Sequence, residues 1–421
     1  MASAHSQYRE FENVDPFPFY EELRQVAPRY DESTEAWLFT SYEQCAFILR
    51  RGDLFRRVDS VLPNFDRADG NGIKGTGRKL EMLDLGEEHD VLHKYLVNLL
   101  STEVATSYRT PVIRPIVERL IDRFAGRGRA ELGEALADKV PMYVTAAFLG
   151  VTREDDEMVE RIRRLRRDIA RWQESQGAVP EDLEIGTRAA VALRELLMRV
   201  VRERKKQPRD DLVSEMWRSG PLPGWGEDDV VLQCMGYFGG ATETQQFLRN
   251  LIYVLLTRPD LHARLRADRD VMIPRFVEET LRCIGVVHWQ PRVARRDITL
   301  GGVPLKRGDR VVAIFAAANR DPQRYRKPAE IDLDSEEHKG HLAFGLGPRF
   351  CIGSAIARAQ GYEVVDALLA RLRKLRLDGQ AEAPHLRAFH VRSFAPLYAL
   401  FDSDERYAGG RGQGGGLPRA V

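Results

Sequence analysis

Long stretches of the chain repeat their apolar residues every three to four positions, and only short stretches alternate. The first spacing predicts amphipathic helices and the second half-buried strands. Helical spacing begins at Asp15-Pro16 and runs to residue 26, with a proline where a helix start tolerates one. It returns over residues 42–51 and dominates residues 87–149. Residues 153–172 are strongly charged and amphipathic, which predicts a helix with a solvated face. Residues 37–40 and 302–312 predict strands, and residues 56–79, rich in Gly, Asp and Asn, predict a long functional or mobile loop. The segment 207–226, with Pro208, Pro221 and Pro223, predicts a loop between helices. A long helix is expected over 227–257, broken at Gly239-Gly240, because each glycine costs about 1 kcal/mol in a helix interior. Another is expected over 354–375. There are no internal repeats. The expectation is one mainly α domain with a small β-rich region over residues 1–405, then a flexible glycine-rich tail over 406–421.

Composition narrows the partners. Lys and Arg number 64 against 63 Asp and Glu, a net charge of +1, so nothing argues for nucleic acid. Cys45, Cys234, Cys283 and Cys351 are far apart, which suggests neither a zinc site nor a disulfide framework. A reducing cytoplasm fits them best. Residues 1–19 are polar and contain prolines, so no membrane anchor is expected there.

Chemistry concentrates near the C-terminal end, in Phe344-Gly345-Leu346-Gly347-Pro348-Arg349-Phe350-Cys351-Ile352-Gly353. A thiolate that binds iron must be deprotonated and needs donors around its sulfur. Glycines allow close approach of backbone N–H groups, and the helix that follows points its positive end at the cysteine. The run resembles the haem-binding signature of cytochromes P-450, Phe-x-x-Gly-x-[basic]-x-Cys-x-Gly. Phe344, Gly347, Arg349, Cys351 and Gly353 fall on its five fixed positions. The resemblance implies the mainly helical P-450 fold, haem b as cofactor, Cys351 as the iron ligand and Arg349 on a haem propionate. It also implies a bacterial-type monooxygenase that takes electrons from a separate ferredoxin and an NAD(P)H-dependent ferredoxin reductase to oxidise a medium-sized organic molecule.

Three further landmarks carry the resemblance. Glu279-Thr280-Leu281-Arg282 places an acid and an arginine on one helix face. It resembles the family's Glu-x-x-Arg brace under the haem loop. The third brace arginine is missing: the corresponding stretch is Ile331-Asp332-Leu333-Asp334-Ser335, and His338 or a nearby basic group is the candidate replacement. His89 and His93, one helical turn apart, resemble the family's propionate-binding His-x-x-x-Arg, with histidine in the arginine position. Arg292 matches a further propionate arginine.

The central helix departs from the pattern. The family commonly has [Ala/Gly]-Gly-x-[Asp/Glu]-Thr, whereas here the run is Gly239-Gly240-Ala241-Thr242-Glu243-Thr244. Without a gap, Thr242 takes the acid position and Glu243 the alcohol position. Glu243 would then donate a proton when protonated, or bind a cationic substrate group. If the glycines shift the helix register by one, Glu243 and Thr244 form the usual pair. The inversion also keeps open an atypical haem-thiolate enzyme, a peroxygenase or an oxidative ring-coupling catalyst. By resemblance the substrate pocket takes residues 61–83, Gly239 and Gly240, Val287, His288 and Trp289, and Phe389 and His390.

Overall fold

A computed structural model describes residues 15–58, 85–152, 155–175, 180–387 and 390–402. The expected tail, the loop 61–83 and Phe389 lie outside the described residues. Apolar stripes become packed helices. Those that position the site are α1 (Phe17–Val26), α2 (Tyr42–Arg50), α3 (Glu87–Leu99), α4 (Asp156–Ser175), α5 (Pro180–Lys206), α6 (Glu227–Thr257), α7 (Arg269–Cys283) and α8 (Ser354–Arg371). Their starts obey local chemistry. Ser41 caps α2 by accepting from the Gln44 N–H, and Asp268 caps α7 by accepting from the Val271 N–H.

The main core takes Leu92 and Leu96 from α3, Phe238, Leu248 and Leu251 from α6, Phe276 from α7, and Val364 and Leu368 from α8. Thus α6 runs through the interior and packs against both α8 and α5. The β region is small. Its largest sheet has five strands, β1 (Arg29–Asp31), β2 (Ala36–Phe39), β3 (Phe55–Arg57), β4 (Gln290–Ala294) and β5 (Arg310–Ala313), in the order β1-β2-β5-β4-β3. Only β2 and β5 pair in parallel; the other pairs are antiparallel. A two-stranded ribbon joins β6 (His385–Arg387) to β7 (Ser393–Ala395).

Three expectations need correction. The helix over 227–257 is continuous through Gly239-Gly240, and both glycines are helical. Its hydrogen bonds outweigh the local propensity penalty because the element is buried along most of its length. The loop expected over 207–226 contains a short helix, Leu212–Arg218, started by the Asp211 cap. The helical stretch 87–149 is divided, with π-helical turns at Arg109–Ile113 and Gly133–Ala137. No helix among the described residues is long and apolar enough to cross a membrane.

Candidate cofactor and active site

A short loop carries Cys351 to the start of α8. Gly345 and Gly347 have φ of +70° and +76°, conformations that side chains other than glycine rarely adopt. A Cβ on Gly347 would also lie 2.8 Å from both Arg50 Cα and Leu49 O, so α2 backbone presses directly on the loop. The Cys351 N–H donates to Phe344 O at 3.0 Å, closing the loop under the cysteine. The helix begins three residues later with Gly353 as a cap that has no side chain. A Cβ there would sit 3.9 Å from the Cys351 sulfur. The Phe344 and Phe350 rings meet edge to face at 6.4 Å.

Beneath the loop, Glu279 and Arg282 of α7 form the expected pair. Arg282 donates from Nε and Nη2 to the two Glu279 oxygens at 2.8 and 2.9 Å, with both side chains buried. The position left by the missing third arginine is filled by backbone. The Asp332 N–H donates to Glu279 Oε2 at 2.8 Å, and Arg282 also donates to the carbonyls of Asn319, Lys327, Pro328 and Glu330. His338 is turned to its own turn, with Nδ1 3.0 Å from Ser335 O. Arg358 of α8 lies over the Phe344 ring at 4.5 Å and pairs through two bonds with Glu278. Burial pushes the Glu278 carboxyl up, but hydrogen bonds from His341 and Arg358 prevail and hold it at about 2.

Above Cys351 opens a cavity of about 530 Å³, within the usual range for small-molecule sites. Its rim is cationic. Arg57 of β3 and Arg292 of β4 stand directly opposite each other across the sheet, and Arg349 lines the same cavity. Like charges in that register oppose pairing. Burial, then Arg57 and Arg349, push the Arg292 guanidinium down to about 9. Among the described residues Arg292 donates only to neutral acceptors, Pro291 O at 2.7 Å and Gln290 Oε1 at 3.3 Å. His89 and His93 of α3 stack with ring centres 5.6 Å apart, and both line the cavity. His89 binds Asp90 through Nδ1, while its buried Nε2 has no partner among the described residues. His93 Nε2 donates to Phe350 O at 2.8 Å, so this ring is tied to the cysteine loop. Buried Gln360 of α8 also lines the cavity, and its Oε1 has no partner among the described residues.

Haem fits this donor set. A thiol in a glycine loop suits iron. A buried and two half-buried guanidiniums, with an imidazole nitrogen that has no partner among the described residues, suit two carboxylates. Cys351 would hold the metal, and Arg292, Arg349 and His89 would hold the propionates.

The opposite wall is α6. Gly239, Gly240, Thr242, Glu243, Thr244 and Phe247 all line the cavity. Thr242 donates to Phe238 O at 3.3 Å and Thr244 to Gly240 O at 3.0 Å, both four residues back. The register is therefore that of an unshifted α-helix. A Cβ on Gly240 would meet nothing within 4 Å.

The remaining pocket candidates divide. Val287 bridges to Val391, and both line the cavity with His390. His288 does not line it, because the next side chain along an extended segment points the other way. Its Nδ1 lies 3.1 Å from the Tyr20 hydroxyl, and burial, then Arg392 and Arg320, hold its pKa well below the ordinary value. Trp289 does not line the cavity either and stacks behind His390 with ring centres 4.3 Å apart. Arg57, Arg166, Gln360 and Arg387 line the cavity without having been anticipated. They are single polar residues in ordinary stretches, and only the fold brings them together.

Comparisons with known proteins agree with this geometry. Residues 180–385 match the family model described as Cytochrome P450. The mycinamicin IV hydroxylase/epoxidase of Micromonospora griseorubida is 31% identical over 376 residues, 88% of each chain. The monooxygenase PikC of Streptomyces venezuelae is 30% identical over 385 residues, 87% of this chain and 86% of its own. Among solved structures, P450BioI in complex with a hexadec-9Z-enoic acid-ligated acyl carrier protein superposes with a TM-score of 0.81. It is 26% identical, and the match covers 92% of this chain and 99% of that one.

Proposed function

The chain belongs to the cytochrome P450 family of monooxygenases, and on that premise we propose that it inserts one oxygen atom from dioxygen into a medium-sized organic substrate of secondary metabolism. Haem b bound through Cys351 supplies the reductive activation of dioxygen, which consumes two electrons and two protons and sends the second oxygen to water. The observation that carries the reading is Cys351, set in a glycine loop at one wall of a cavity whose opposite wall is α6.

The chain's own residues have distinct tasks in this account. The Phe344 carbonyl holds the Cys351 backbone, and His93 holds the Phe350 carbonyl, so the loop is fixed from two sides. Arg292 and Arg349 would neutralise propionates, and His89, with Nδ1–H given to Asp90, would join them as an imidazolium that donates through Nε2. On α6, Gly239 and Gly240 leave room beside the helix, and Glu243 and Thr244 present a carboxyl and a hydroxyl to the cavity. In an unshifted helix Glu243 keeps the alcohol position, where it delivers a proton or binds a cationic group. Val287 and His390 bound the substrate on the other side.

Electrons are proposed to come from a ferredoxin and its NAD(P)H-dependent reductase, and the protein to work in the cytoplasm. Arg358, already neutralised by Glu278, is a poor docking cation for that donor. The unshifted Glu243 favours a second reading, an atypical haem-thiolate enzyme that is driven by peroxide or couples rings. The substrate class includes molecules tethered to a carrier protein, as in the P450BioI complex. Turnover of a compound panel with ferredoxin, reductase and NAD(P)H, against hydrogen peroxide alone, tests the reading. Oxygenated product that requires the electron chain supports it, whereas product from peroxide alone establishes the second reading.

A further inference from the structure

Helix α4 has two faces with different business. Inward, Arg166 and Ala170 line the cavity, and the Arg166 guanidinium lies beside α6, with Nη2 3.7 Å from where a Gly239 Cβ would be. Outward, Arg161, Arg164 and Arg167 are exposed at spacings of three residues. They form a cationic row about 9 Å long along one face. None of the three makes an ion pair among the described residues. Their neighbours Arg163 and Arg171 are held by Glu160 and Asp182. Like charges three residues apart destabilise a helix. Several other exposed arginines are matched, as in Arg218 with Glu215 and Arg326 with Glu337. The row thus carries a local like-charge cost that the nearby Glu157, Glu160 and Asp168 offset only in part, since none of them holds one of the three arginines in an ion pair among the described residues.

We propose that this outer face of α4 docks an acidic protein domain that presents a tethered substrate to the cavity beneath. The proposal rests on the monooxygenase reading and supplies its mode of substrate delivery. Charge complementarity selects the partner. A nucleic acid is disfavoured, because the chain has a net charge of only +1 and Glu157, Glu160 and Asp168 flank the row on the same helix. An electron donor is disfavoured as well. The inner side of α4 meets the α6 wall, whereas Cys351 belongs to the α8 wall. A partner on α4 therefore stands over the α6 side of the cavity, away from the Cys351 loop, and the pairing gives orientation and rapid encounter more than raw affinity.

The test uses hexadec-9Z-enoyl acyl carrier protein as probe, with the free fatty acid as control. Carrier binding is followed by fluorescence anisotropy for the wild type and the triple variant Arg161→Glu/Arg164→Glu/Arg167→Glu. The expected result is carrier binding that weakens with salt and falls about tenfold in the variant, the sum of three modest exposed ion pairs. Binding of the free acid, reduction by ferredoxin and the CO-bound spectrum should be unchanged. An intact CO-bound spectrum keeps failure of docking separate from failure of the haem-thiolate reading. Equal carrier binding in both proteins, or none in either, would overturn the proposal. So would a variant whose ferredoxin reduction slows while carrier binding is kept, or a row that binds duplex DNA as tightly as the carrier.

Discussion

In the proposed mechanism Glu243 either delivers protons or binds a cationic group of the substrate. It lines the cavity one turn beyond Gly239 on a helix whose register is unshifted. As a proton donor, Glu243→Gln should lower product formation and divert electrons to peroxide with little change in substrate affinity. As a site for a cationic substrate, it should weaken binding first. Thr242→Ala should be mild in either case. Product yield per NAD(P)H and a substrate titration separate the outcomes, and normal values for Glu243→Gln remove it from the mechanism. Gly347→Ala should destabilise by about 2 kcal/mol or more, through its left-handed φ and the contact with Arg50 and Leu49 backbone. A denaturant midpoint equal to wild type would contradict this. His288 predicts a pH effect. Its ring stays neutral in the folded state well below pH 6.5, while the unfolded chain protonates there. Stability should thus fall as pH drops below about 6.5, by up to about 1.4 kcal/mol per unit. His288→Gln should flatten that slope in urea melts, and an unchanged slope would refute the burial argument. Residues of this kind were only partly legible. Cys351 and Arg292 stood in a long pattern, whereas the pointing of His288 depended on strand alternation around a contact with Val391 that only the fold creates.

At the scale of elements, the site is a set of ties between α6, α7, α8 and the strands around them. Asn250, buried on α6, donates to Ile284 O and Arg392 O at 3.1 and 3.3 Å and accepts from the Phe394 N–H at 3.1 Å. It fastens the turn before Val287 and the strand after His390 to the central helix. Asn250→Ala removes three hydrogen bonds to buried or part-buried backbone groups and should cost roughly 1–3 kcal/mol. Looser substrate binding should accompany that loss, and unchanged hydrogen exchange at residues 391–394 would contradict it. The brace on α7 is stiffer. Glu279→Ala strands a buried Arg282 and should cost about 3–5 kcal/mol, giving haem-poor protein. A stable variant with full haem content would show that the Asp332 N–H and the carbonyls suffice without the acid. Most helices were visible as apolar spacing, and the Glu-x-x-Arg pair as an i, i+3 face. The continuity of α6 was not, because propensity marks a glycine pair as a break while burial along most of the helix overrides it. Nor could a sequence reveal that a backbone N–H would stand in for the absent arginine.

For the whole molecule, the order of landmarks along the chain was enough to indicate the architecture, because each lies on an element whose neighbours are dictated by packing. The cationic rim emerges only at this scale. Arg57, Arg292 and Arg349 come from three separate stretches and meet because β3 pairs with β4 and the cysteine loop folds over α2. Such a gathering of positive charge, with Arg292 buried and the other two half-buried, is unfavourable alone and favourable around a dicarboxylate. Haem binding should accordingly raise the thermal midpoint of the protein, and Arg292→Ala should reduce that gain. All of this depends on Cys351 as the iron ligand. The most direct measurement is the difference spectrum of the reduced, CO-bound protein, wild type against Cys351→Ala at matched haem content. The account predicts the thiolate-specific band that gives the family its name in the wild type and its complete loss in the variant. Persistence of that band in Cys351→Ala, or its absence from haem-loaded wild type, would contradict the account.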